Sequence, residues 1–241
     1  MKVEIWSDFV CPFCYIGKRR FEAGLNQFAH KEQVEVMYRS FELDPNMKRD
    51  GNPSAYDMLA VKYGMSREQA IANCNQVTQQ AKEVGLDYDL GKAIQTNTFD
   101  AHRLAHYAAS QGKLAEMTER LLKAHFTDML HVGNHDTLAD LAAEVGLNRD
   151  EVLRVLAAGE YADGVRSDEQ EAADLGIRGV PFFVINRKYA VSGAQPSEVF
   201  LEALQKAWEE DQPLTVLGGD SDAALCTDDG CIVPAKGEHR S

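Results

Sequence analysis

The chain has 241 residues, 44% of them hydrophobic and 26% charged, and its 25 basic against 38 acidic side chains leave a formal net charge of −13. That balance describes a globular protein long enough to build a core without disulfide staples, and it excludes disorder of the whole chain. Phosphate backbones and anionic lipid surfaces would repel it, so nucleic acid and membranes are set aside as partners.

The first segment, MKVEIWSDFVC, carries Glu4 and Asp8, and so lacks the uninterrupted apolar run of about 7–15 residues that a secretory signal needs. No later stretch approaches the roughly 20 apolar residues of a membrane span. With Met1 as its start the protein is expected to be cytoplasmic, where cysteines are usually catalytic, metal-binding or inert.

In chain order, Val3 and Ile5 alternate with Lys2 and Glu4 as a short strand. Ser7 to Phe13 turns the chain into a helix that carries Phe21, Leu25 and Phe28 on one face and runs to about His30. Val34, Val36 and Tyr38 mark a second strand, and the helix between the two strands predicts a parallel βαβ unit. From Ser54 to Gly176 only helices are predicted, closed by Gly64, Gly85, Gly112, Gly146, Gly159 and Gly176. Ser66 with Gln69, and Asn148 with Glu151, have the spacing of helix starts. Strand signal returns at Pro181 to Ile185, turns at Asn186 to Lys188, and pairs back through Tyr189 to Ser192. A last helix carries Phe200, Leu204 and Trp208 on one face, with Pro196 in its first turn. The helical block therefore reads as an insertion: 1–45 and 177–212 form one sheet-based domain, 54–176 a helical domain, and 213–241 a flexible tail.

Cys11-Pro12-Phe13-Cys14 stands where the first strand hands over to the first helix. At a helix N-terminus the unpaired amides and the positive end of the dipole stabilise a thiolate. A second thiol one turn later can displace whatever the first has attacked, which makes Cys11 the nucleophile and Cys14 the resolving thiol. Two other readings stand beside this one, a zinc half-site and ordinary buried cysteines. Zinc would need two further ligands, and the other close pair is Cys226 and Cys231 in the tail. Cys74, among Ala70, Ile71 and Val77, reads as a buried small hydrophobe with no role. The pairs His102/His106 and His131/His135 read as ordinary surface or core histidines, and the acid-rich stretch 168–174 reads as a solvated face.

VEIWSDFVCPFCYIGKRRFE at the start, NTFDAHRLAH at 97–106 and GIRGVPFFVINRKYAVSGAQP at 176–196 resemble the DsbA-like thioredoxin superfamily, in particular its FrnE-like branch. The resemblance implies an α/β thioredoxin fold with a large all-helical insertion, and thiol-disulfide oxidoreductase or isomerase activity through a mixed disulfide on Cys11. It implies that Pro181 is cis and faces the cysteines, with the Val180 backbone binding an extended substrate. Pro12 and Phe13 join this candidate binding surface. Asn97, Thr98, His102 and Arg103 match a segment expected to face the catalytic side, where His102 would bind substrate or glutathione. A capped helix start equally accounts for Asn97 and Thr98. The tail cysteines resemble an auxiliary redox pair. Phe13 cannot offer a ring N–H to a thiolate, so the pair is expected to be less oxidising than a Cys-Pro-His-Cys pair.

The partners implied are protein thiols or disulfides, with glutathione or a thioredoxin-type reductant as the source of electrons and no bound cofactor. Two rival functions remain. One is a glutathione-dependent transferase or isomerase of the same fold, which uses a serine near the Cys11 position; the other is a structural zinc protein holding its metal with both cysteine pairs.

Overall fold

The computed structural model describes residues 1–50 and 54–210, together with the backbone of two short tail strands, Leu225–Thr227 and Gly230–Ile232. The expected βαβ unit is present: β1 (Lys2–Ser7), α1 (Pro12–Gln27) and β2 (Glu35–Ser40), with β1 and β2 parallel from Lys2 opposite Glu35 to Ser7 opposite Ser40. The later run forms β3 (Phe182–Ile185) and β4 (Tyr189–Ser192), a hairpin whose turn places Asn186 and Arg187 at positive φ. β3 pairs antiparallel with β1, which gives the order β2-β1-β3-β4. A strand from the far end of the chain thus lies beside the first one.

Residues from Val3 to Ser7 of β1 are all buried, the charged Glu4 among them. β1 is central, and Glu4 is tolerated inside because Arg39 and Arg187 meet its carboxylate. Those guanidinium groups outweigh burial and hold Glu4 below the ordinary carboxylate range. A buried charge is stable only when paired in this way. Asp168 corrects the solvated-face reading of 168–174, because it is buried. It accepts hydrogen bonds from Arg39 (2.9 Å) and the Ser40 amide (2.9 Å). Burial alone would raise its pKa, but His106, Ser40 and Arg39 bring it below the usual value.

One face of the sheet is covered by α1 and α9 (Ser197–Glu210), with Phe21, Phe28, Phe183, Phe200 and Leu204 interleaved. α1 stops at Gln27, short of the expected His30, because Phe28 is extended and its N–H bonds to Leu25. Gly24 lets α1 and α9 touch: a Cβ there would lie 2.6 Å from the Ser197 carbonyl oxygen. Helix propensity favours Gly24→Ala by about 1 kcal/mol, whereas overpacking against backbone costs about 1–3 kcal/mol. The variant is therefore expected to be less stable, and chemical denaturation showing it more stable than wild type would contradict this packing.

Between β2 and β3 run α2 (Ala55–Tyr63), α3 (Arg67–Glu83), α4 (Phe99–Ser110), α5 (Leu114–Phe126), α6 (His135–Glu144), α7 (Arg149–Ala157) and α8 (Ala162–Asp174). The glycines read as helix stops all take positive φ, as Gly64 does at 63° after α2. Ser66 and Gln69 form a reciprocal capping box, and Asn148 accepts the Glu151 amide. These helices share their own core, built around Leu104, Met117, Leu121, Leu138 and Val152. α5 and α8 also pack against β2. Glu119 on α5 accepts hydrogen bonds from Tyr15 (2.6 Å) and Lys18 (2.6 Å) and pairs with Arg19. Burial opposes its charge, but these donors win and pull its pKa down to about 2. The helical layer is thereby clamped to α1, beside the cysteine motif.

The expected tail, 213–241, lies outside the described residues apart from β5 (Leu225–Thr227) and β6 (Gly230–Ile232), whose backbones pair with Cys226 opposite Cys231. Among the described residues no helix is long and apolar enough to cross a membrane.

Candidate active site

Cys11 occupies the N-cap of α1 in an extended conformation, and Pro12 fills the first helical position, where a missing N–H costs nothing. The Cys14 amide bonds to the Cys11 carbonyl at 3.0 Å, so the motif is already the first turn of the helix. Both cysteines are free thiols. They are nearly covered, at 4% and 3% exposure, while Phe13 between them is 38% exposed. Tyr88 donates to the Pro12 carbonyl (2.9 Å), which ties the motif to the segment after α3.

The two sulfurs have different surroundings. Cys14 Sγ faces inward and accepts the Asp8 amide (3.4 Å). Burial first, and then the hydrogen bond and charge of Cys11, push the Cys14 thiol well above its ordinary pKa against the smaller opposite effect of Ser7 and the Asp8 backbone. Cys14 therefore keeps its proton, while Cys11 stands at the positive end of α1. Cys11 Sγ lies 3.6 Å from the Val180 carbonyl oxygen. The Val180–Pro181 peptide is cis. α1 approaches this segment at Gly17, where an added Cβ would meet the Pro181 ring at 2.9 Å. Cys11 thus lies against Val180 and beside the cis Pro181 peptide, with Cys14 behind it and Pro12 and Phe13 toward the outside.

The profile of the DsbA-like thioredoxin domain matches residues 2–205. The chain belongs to the DsbA-like thioredoxin family. It is 47% identical to a probable DsbA oxidoreductase, SCO1869, of Streptomyces coelicolor, whose crystal structure superposes with a TM-score of 0.85 over 98% of this chain and 100% of that one. It is 27% identical over 204 residues to the uncharacterized protein YwbO of Bacillus subtilis, covering 84% of this chain and 94% of the relative. The cytosolic disulfide reductase DsbM of Pseudomonas aeruginosa, solved with GSH, shares the fold at 14% identity and a TM-score of 0.60, over 87% of this chain and 100% of that one. The thioredoxin-like fold and the oxidoreductase family follow from these matches.

The segment after residue 96 departs from its expected role. Thr98 does border the cavity beside Cys11. Asn97 caps instead, accepting the Phe99 amide (2.9 Å) and donating to Glu42 (3.0 Å). His102 corrects the substrate-binding assignment: it is 2% exposed, packed on the Phe9 ring, with Nε2 3.5 Å from Asp8 Oδ1. Arg103 points the other way, donating to the carbonyls of Glu160 (2.7 Å), Val155 (2.9 Å) and Leu156 (3.1 Å) at the end of α7.

Asp8 is the residue that sequence reasoning passed over. Its backbone N–H holds Cys14, its Oδ2 accepts the Leu43 amide (2.7 Å), and its Oδ1 faces His102. Asp8 stands three residues before Cys11 in the strand-to-helix turn, so its place was visible; nothing in the sequence announced its partners. His125 on α5 lies in the same buried layer with its Nδ1 unpartnered. Burial lowers its pKa to about 4, the Asp8 charge pulls it up slightly, and His131 adds to the lowering.

That shift sets a pH dependence. The unfolded imidazole takes a proton at about 6.5, whereas the folded one resists until about 4. Stability is therefore complete above about pH 6.5 and falls as the pH drops toward 4, by up to about 3 kcal/mol. His125→Leu is expected to flatten this decline in denaturation curves taken at pH 7 and pH 4.5. Equal declines in both proteins would mean that His125 is not held neutral.

The side chains of Cys226 and Cys231, and with them the four-cysteine zinc reading, lie outside the described residues. Cys74 is buried, and burial raises its thiol pKa.

Proposed function

We propose that the protein exchanges disulfides with protein substrates through a mixed disulfide on Cys11, which Cys14 then resolves. The observation that carries this reading is the asymmetry of the pair: one sulfur at the helix N-terminus against the Val180 carbonyl, the other buried and protonated behind it. In the exchange, the Cys11 thiolate attacks one sulfur of a substrate disulfide, whose other sulfur leaves as a thiolate. Cys14 loses its proton and attacks the Cys11 sulfur, releasing the second substrate thiol. The same steps run in reverse when the pair begins oxidised, and isomerisation needs only that the mixed disulfide be released by a substrate thiol. The Val180 backbone beside Pro181 is positioned to align an extended substrate segment. Glutathione or a thioredoxin-type protein would return the pair to its starting state, within the cytoplasm. Cys226 and Cys231 would serve as an auxiliary pair in the manner of the FrnE-like branch.

Equilibration in buffers of reduced and oxidised dithiothreitol tests this. The pair is expected to oxidise in one two-electron transition, a tenfold change in ratio for about 30 mV, with the disulfide joining Cys11 and Cys14. Independent titration of the two thiols would exclude the exchange mechanism.

A further inference from the structure

Val180 borders two recesses. One is the cavity of about 520 Å³ that also touches Cys11, whose lining includes Met47, Met58 and Met65 and the charged Asp8, Asp44 and Lys62. The other is an open groove of about 410 Å³ that Val180 shares with Pro181 and Phe182. Gly176, Gly179 and Gly193 line it without side chains, so a partner's backbone can come close. Arg178 and Ser192 supply its polar side chains, and Arg178 is the one ionisable residue among the described residues of that lining. An anion entering the groove therefore meets a cation and no carboxylate.

Arg178 is exposed. Among the described residues it has no hydrogen bond or ion pair, whereas every other described arginine has at least one. The carboxylates nearest to it in sequence are already engaged: Glu171 pairs with Arg187 (2.6 Å), and Asp174 accepts from Gln170 (2.8 Å). In a chain with 38 acidic side chains, an arginine left open is set apart by that alone. It also stands two residues before Val180, whose carbonyl oxygen lies 3.6 Å from Cys11 Sγ. A guanidinium presents a planar fork of donors that matches a carboxylate. The hydroxyl of Ser192, exposed and lining the same groove, can add a further donor.

We infer that Arg178 is a specificity-determining residue, which pairs with the carboxylate of an aspartate or glutamate close to the reacting cysteine and so favours disulfides in acidic segments of protein substrates. The inference rests on the exchange reading above and narrows its substrate class. Glutathione also carries carboxylates near its cysteine, and the test separates the two sources. In the step that Arg178 governs, the Cys11 thiolate attacks the sulfur of the cysteine held beside Val180. The substrate S–S bond breaks, and the distal half leaves as a thiolate that takes a proton from water. Cys14 then gives its proton to solvent and attacks Cys11, so the substrate gains two electrons and the pair loses two.

The test uses the full chain, reduced beforehand, in single turnovers at low ionic strength, where charge pairing is least screened. The substrates are disulfide dimers of capped peptides with glutamate, or in the matched peptide glutamine, two positions to either side of the cysteine, together with glutathione disulfide. The quantity read is the glutamate-to-glutamine rate ratio within one protein, in which a partly misfolded sample cancels. This ratio is expected to be at least threefold higher in wild type than in Arg178→Gln, the scale of one exposed ion pair. Arg178→Lys should keep a ratio between the two, because it retains the charge and loses the fork. Arg149→Gln removes the same charge on α7, outside the groove, and is expected to leave the ratio within 1.5-fold of wild type. A drop of less than threefold in Arg178→Gln would overturn the inference and leave the exchange reading standing. So would an equal drop in Arg149→Gln, which would mean a general field, or a loss of rate in Arg178→Gln confined to glutathione disulfide. Reaction of the wild type with none of the three disulfides would overturn both.

Discussion

Replacing Cys11 with serine is expected to remove disulfide turnover almost completely, by at least about 10³-fold in kcat/KM, because no other group takes over when a nucleophile is lost. The substitution keeps size and leaves α1 capped, so the loss should come without a matching loss of stability. Cys14→Ser is expected to behave differently. Cys11 still attacks, but release must await an external thiol in place of one held a single turn away, and the advantage of that proximity disappears. Turnover should fall about 10²-fold while the first step keeps its rate. Insulin reduction followed by turbidity checks the first expectation, and a burst of released thiol without further turnover checks the second. If Cys11→Ser kept more than a tenth of wild-type turnover, the attacking sulfur would be another one, and Cys74, on the wall of the same cavity, would be the first to examine.

Arg103→Met is expected to cost about 3–5 kcal/mol of stability, the range for removing one partner from a buried charged network. Arg103 is 3% exposed and meets three carbonyls at the end of α7 as well as Asp100 at 2.6 Å. Methionine keeps the apolar stem but leaves those acceptors unpartnered inside the protein. Arg103→Lys should recover only part of the loss, since one ammonium cannot span the positions that a planar guanidinium reaches. Guanidinium denaturation at neutral pH gives both values. A cost below about 1 kcal/mol for Arg103→Met would show that water or a shifted backbone satisfies the end of α7, and that the match of NTFDAHRL to its family reflects something other than this joint.

The two residues His102 and Arg103 show where sequence reading stopped. Their place in a family segment was plain, and a role at the catalytic face followed naturally from it. Both side chains instead turn inward, one toward Asp8 and the other toward α7. Their partners lie 94 and 52 residues away, and no local periodicity carries that information. What local patterns do carry came through well: the βαβ unit, the hairpin at Asn186, the capping box at Ser66 and the placement of Cys11 at a helix start. Each of these depends on neighbours within a few residues.

β1 marks the boundary between the two cases. Its alternation of Val3 and Ile5 with Lys2 and Glu4 correctly named a strand but not its burial on both faces, because Glu4 reads as a solvent residue until Arg39 and Arg187 are known to meet it. Asp168 misled in the same way. The cavity was hidden for a related reason: its methionines come from the loop after β2, from α2 and from the turn before α3, and only the folded chain gathers them beside Cys11.

The central claim is that Cys11 is the sulfur that joins the substrate and Cys14 the one that releases it. It is tested most directly by incubating the Cys14→Ser protein with a peptide disulfide and digesting it under acid for mass spectrometry. The account predicts one peptide joined through a disulfide to Cys11, stable until a thiol is added, and no such adduct in Cys11→Ser. An adduct confined to Cys74 or to the tail cysteines, with Cys11 left as a free thiol, would contradict it.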